Sequence, residues 1–156
     1  MLNPKILHNL TWIPAFLIGL CSSVIGAIWL IVHQPWLLDR AANEAILGTT
    51  FQQLFSADIN QTVPVYLTSL YRFLGLGLLG FGLVICAYVL ITFMGTVRAR
   101  NSLLALLAII IPALFYLEYT YIPISPFVSF TYGLLILYLV CLWASIQLNR
   151  KEKRYL

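Results

Sequence analysis

Arg72, Glu118 and His33 are the residues best placed for polar chemistry, because each stands at the edge of a long apolar run that otherwise carries almost no charge. An ionisable side chain at such a boundary seeks a partner, since exposing it to lipid near a bilayer midplane costs about 2.5 to 3.5 kcal/mol. Arg72 and Glu118 are therefore expected near each other. With Tyr66, Tyr71, Tyr116 and Tyr119 around them, they would wall a small outward-facing pocket in which Arg72 receives an anionic headgroup or carboxylate. Favoured over the pocket is an interfacial ion pair with snorkelling side chains that only fixes helix depth. The ligand-binding candidates are thus Arg72, Glu118, His33, Tyr71 and Tyr119.

Other chemistries find little support. No Ser-His-Asp order, paired carboxylates or H-E-x-x-H motif occurs, so no catalytic residue is assigned and a non-catalytic role is favoured. His8 and His33 flank opposite ends of the first apolar run and cannot share a haem. Cys21, Cys86 and Cys141 lie inside apolar runs without C-x-x-C spacing, so neither a disulfide nor a metal is expected, and no cofactor. The run Arg72-Phe-Leu-Gly75-Leu-Gly77-Leu-Leu-Gly80-Phe-Gly82 contains G-x-G-x-x-G, but the strand and βαβ unit of a dinucleotide site are missing. In an apolar helix, glycines instead admit a neighbouring backbone. At 100° per residue, Gly19, Ser22, Ser23 and Gly26 form one stripe ending towards His33, and Gly75, Leu79, Gly82 and Cys86 form another beginning at Arg72. Gly19, Gly26, Gly75 and Gly82 are the expected packing residues between two helices.

The elements that must position these residues follow from composition. Of 156 residues, 62% are hydrophobic and 9% charged, against about a quarter charged in a soluble domain. This points to an all-α, four-helix transmembrane bundle, one membrane domain over residues 1–156, with spans near 13–32, 73–93, 103–121 and 127–148. Pro14 is read as near the start of the first span, and Pro112 as a kink in the third. Trp12, Trp36, Trp143, Tyr116, Tyr119 and Tyr121 lie near span ends, where amphipathic rings meet headgroups. Seven basic residues (Lys5, Arg98, Arg100, Arg150, Lys151, Lys153, Arg154) fall on one side and two (Arg40, Arg72) on the other, which places both termini in the cytoplasm. Because these charges sit at segment ends, the net charge of +4 marks topology and not nucleic-acid binding.

The outer loop, residues 33–71, is expected to hold an amphipathic helix. Leu38, Ala41, Ala42, Ala45 and Ile46 share one face, Asp39, Arg40, Asn43 and Glu44 the other, with Arg40 and Glu44 paired at i,i+4 and Gly48 as the stop. Pro64, after Thr62, would open a helix running into the second span.

From Arg72 to Trp143, the arginine at the second helix's start, the glycine run, the basic turn at Arg98 and Arg100 and the two further spans resemble the DoxX-like group of small four-helix bacterial membrane proteins. The outer loop is longer here. The resemblance implies a bacterial inner-membrane location. Because that group includes proteins associated with membrane oxidoreductases, it also fits an accessory or assembly subunit docking a larger membrane complex. A small-ligand or lipid-binding protein using the Arg72 pocket is the alternative, and a membrane enzyme using that pocket comes third. An accessory subunit should leave an exposed groove, whereas a binder should show a cavity.

Overall fold

The computed structural model describes residues 3–152. Lys153 and Arg154, expected to orient the last helix, lie outside them. Six α-helices, joined by short turns, make up the described chain: α1 (Pro4–Ile31), α2 (Arg40–Leu47), α3 (Phe51–Ser56), α4 (Val63–Thr92), α5 (Val97–Tyr121) and α6 (Pro126–Glu152). Two 3-10 turns, Pro35–Asp39 and Asp58–Asn60, flank the α2–α3 pair, and no strand occurs among the described residues. Helices α1, α4, α5 and α6 are each long and apolar enough to cross a membrane. Their outward faces carry exposed residues such as Leu20, Val24, Val84, Ile91, Ile109 and Ile136, a surface that only lipid solvates well. The chain is an integral membrane protein, an all-α four-helix bundle in contact with the bilayer.

The helices start and stop where local chemistry satisfies their ends. Asn3 caps α1, its Oδ1 accepting from the Lys5 amide at 2.9 Å, and Pro4 occupies the first turn, where its missing N–H is harmless. Helix α1 thus begins about two and a half turns before the apolar run, and Pro14 lies in its interior instead of near its start; both Pro14 and Pro112 are carried without ending their helices. Thr96 caps α5 through the Ala99 amide at 3.1 Å, and α4 opens at Val63–Pro64 as its sequence suggests, although Thr62 makes no side-chain cap.

Helix α2 forms with Gly48 in the left-handed conformation at its end and Arg40 Nε 2.9 Å from Glu44 Oε1. Glu44 also accepts the Phe51 amide at 3.0 Å, which with Arg40 holds its carboxyl below the usual range. One placement differs from expectation. Asp39 is not on a solvated helix face but buried at the end of the 3-10 turn, whose tighter winding rotates it away from the α2 phase.

Packing follows the order α4–α1–α6–α5. Helix α1 lies against α4 on one side and α6 on the other, while α5 packs on α6. The α1–α4 contact is close enough that side chains are excluded. A Cβ on Gly26 would stand 2.4 Å from the Leu79 nitrogen, and one on Gly82 2.4 Å from the Gly19 carbonyl oxygen; Gly19 and Gly75 are similarly confined by Gly82 and Gly26. Ser22 and Ser23 donate to the carbonyls of Ile18 and Gly19, each at 2.9 Å, so the stripe is polar-satisfied within its own helix. By contrast, Gly77 and Gly80 face open space.

Gly82→Leu should therefore lower thermal stability in detergent by about 1 to 3 kcal/mol or more, as overpacking does. Gly80→Leu, in the same helix, should change little. Equal melting temperatures for the two variants would show that α1 and α4 do not meet as described.

Candidate functional site

The α2–α3 connection and the ends of the long helices beside it define a loop end of the bundle; the chain termini define the other. Because α4 and α5 flank the α1–α6 pair without packing along each other, the four helices leave a cleft of about 470 Å³ between them. That volume lies within the range of about 300 to 1,000 Å³ common for small-molecule sites. Ile18 and Ile25 of α1, Leu74 and Phe81 of α4, Leu107 and Leu114 of α5, and Phe130 and Leu134 of α6 make its wall almost wholly apolar. Gly77 of α4 forms part of that wall, and a Cβ there would meet nothing within 4 Å.

At the loop end of the cleft stands Glu118, only 7% exposed, with Thr131 of α6 beside its carboxyl group. Its Oε2 is buried without a hydrogen-bond partner, as is the indole N–H of Trp29, another wall residue. Trp29 packs edge-to-face on Tyr71 and on Phe127, with centroids 5.6 and 5.2 Å apart. The Tyr71 hydroxyl accepts from Asn43 Nδ2 at 2.8 Å, and the same amide donates to the Trp36 carbonyl at 3.2 Å, so the outer cap is tied to α4. Asp39, 4% exposed, has Oδ1 buried and unpartnered, with Ser125 beside its carboxyl, and its charge reaches both Tyr71 and Glu118. Burial pushes the Asp39 carboxyl above the usual carboxylate range, offset in part by Ser125.

The expected polar centre is thus rearranged. Arg72 is exposed and makes no ion pair with Glu118; among the described residues the ion pairs are Arg40–Glu44 and Arg100–Glu152. Tyr71 turns inward, and one residue further along the helix, about 100° round, Arg72 points outward, where a long side chain near a helix end can snorkel. His33 is exposed just past α1, and Tyr119 is exposed and stacks on Phe115 at 6.1 Å; Tyr66 and Tyr116 are also exposed. Of the five candidates, Glu118 lines the cleft and Tyr71 meets its wall through Trp29, and the structure adds Trp29 and the buried Asp39, which sequence reasoning left out. The missed signal is depth: Trp29, Asp39 and Glu118 all sit at loop-end helix boundaries.

A second polar centre lies at the terminal end. Arg100, read from sequence as a topology charge, is fully buried. Its Nε and Nη2 donate to Asn149 Oδ1 at 3.0 and 2.6 Å, its Nη1 to the Met94 and Gly95 carbonyls at 3.3 Å, and its Nη2 also to Glu152. Met94 and Phe93 hold positive φ angles of 50° and 43°, uncommon for bulky residues, so this clamp secures a strained α4–α5 turn.

The cysteines are tied to the scaffold: Cys141 Sγ donates to the Thr11 carbonyl at 2.7 Å and Cys86 Sγ to that of Phe16 at 3.7 Å. Among the described residues, no three His, Cys, Asp or Glu side chains group as metal ligands would.

Because Asp39 has a raised pKa when folded, ionising it opposes folding above the unfolded value near 3.8. Asp39→Asn should raise the melting temperature in detergent at neutral pH, and the gain should shrink as pH falls and vanish below about 3.8, where both forms are neutral. A lower melting temperature at neutral pH would mean the carboxylate is favourably paired. No protein-family model, curated protein or solved structure matches the chain.

Proposed function

We propose that this protein binds an amphiphilic small molecule or lipid from within the bilayer, with the apolar body in the cleft between α4 and α5 and the polar group at Glu118. The observation that carries this reading is a buried carboxyl oxygen without a partner at the end of an otherwise apolar cleft. In lipid such a group is costly unless something meets it, and intramembrane ionisable residues mark functional sites for that reason. The binding centre moves from Arg72 to Glu118. An enzyme is disfavoured, because among the described residues only the Thr131 hydroxyl stands beside the carboxyl group and no histidine, lysine or cysteine lines the cleft.

A docking role is the second reading. Gly80 of α4 and Gly133 of α6 meet no neighbouring side chain or backbone within 4 Å of an added Cβ, as contact sites for a partner helix would. The resemblance to DoxX-like proteins and a bacterial inner-membrane location belong with it. The small-residue stripes of α1 and α4 are consumed in the contact between these two helices. In either reading the basic bias towards the terminal end supports cytoplasmic termini, and a membrane-impermeant thiol reagent should label Asp58→Cys from outside and miss Ala99→Cys.

The test is purification from membranes in a mild detergent, with mass spectrometry of retained small molecules. A species stoichiometric with the protein should accompany the native chain and be lost from Gly77→Phe, whose Cβ meets nothing within 4 Å and whose ring would occupy the cleft. Retention of the same species by Gly77→Phe, at unchanged stoichiometry, would place binding elsewhere.

A further inference from the structure

The charges around Glu118 assign a chemical class to the cleft's ligand. Two buried carboxyl groups on different elements stand at the loop end, Glu118 in the cleft wall and Asp39 at the end of the 3-10 turn beside Ser125. Each keeps one buried oxygen without a partner. No basic side chain answers them. Arg72 and His33 are exposed, Arg40 is held by Glu44, and the other described basic residues lie at the terminal end.

Aromatic rings complete the surroundings. Trp29, in edge-to-face contact with Tyr71 and Phe127, lines the cleft together with Glu118. Two acids and aromatic faces with no resident cation are what an ammonium group needs, because carboxylate oxygens accept its N–H bonds and ring faces attract its charge. A neutral donor such as an alcohol would satisfy one oxygen but leave two like charges facing each other in a poorly hydrated site.

We propose that the ligand is a cationic amphiphile, a protonated amine seated at Glu118 and Asp39 with an apolar chain running past Gly77 into the cleft. This rests on the cleft-binding reading above. A lipid with an amine head and a free long-chain amine share the required chemistry, and a simple long-chain amine serves as probe.

The full chain in a neutral sugar-headed detergent near neutral pH is titrated with decylamine and, separately, with decanol, and binding is followed by tryptophan fluorescence and thermal shift. Decylamine should bind at least about tenfold more tightly than decanol, the margin of one well-made charged contact. Glu118→Gln should erase that preference, and Gly77→Phe should abolish saturable binding of both. Asp39→Asn should weaken the preference in the same direction, and serves if Glu118→Gln fails to fold. Equal, Gly77-dependent affinities for amine and alcohol overturn the cationic head but leave the cleft reading standing. Absence of any Gly77-dependent binding overturns both. An amine preference that survives Glu118→Gln seats the amine elsewhere and overturns the proposal.

Discussion

The contact between α1 and α4 is the constraint from which the rest of the bundle follows. Lipid tails are as apolar as the helix surfaces, so hydrophobic burial cannot drive these helices together; close packing must. Gly19, Gly26, Gly75 and Gly82 bring the two backbones into direct contact, and any side chain at those positions would collide with backbone or side-chain atoms of the neighbouring helix. With one face of α1 committed to α4, α6 docks on another, and α5 is left to pack on α6. At the terminal end the Tyr88 hydroxyl of α4 reaches the Ala99 carbonyl of α5, and the gap left between these helices further along is the cleft.

The two polar centres of the bundle obey opposite rules. Arg100 is a buried charge with Asn149, Glu152 and two backbone carbonyls around it, the arrangement a desolvated guanidinium requires. It fixes the α4–α5 turn and has nothing left to offer a ligand. Glu118 and Asp39 are also buried, yet each leaves an oxygen unanswered. The scaffold satisfies one buried charge completely and leaves oxygens of two others unpartnered, one of them in the cleft wall.

Much of the bundle was legible in the sequence because lipid imposes simple rules. Uncharged runs gave the four long helices, and glycine spacing at 100° per residue pointed to the α1–α4 face. Arg40, Glu44 and Gly48 act in α2 as their types suggest. What escaped was rotational phase and individual depth. A 3-10 turn, indistinguishable by composition from the start of α2, swings Asp39 inward. The inward turn of Tyr71 leaves Arg72 facing out, and the charge rule that places Arg100 at one end of the bundle says nothing of which arginine there is buried. Trp29 looked like one more apolar residue of the first span, although its ring faces Tyr71 and Phe127 across two other helices.

The central claim is that the cleft beside Glu118 is an occupied site and not a packing defect. Its most direct test is an experimental structure of the protein extracted from native membranes into lipid nanodiscs without delipidation. The account predicts elongated non-protein density between α4 and α5 that ends within hydrogen-bonding distance of the Glu118 carboxyl group. A cleft closed by α5 settling onto α4, with Glu118 turned to a protein partner or to the headgroups, would contradict it.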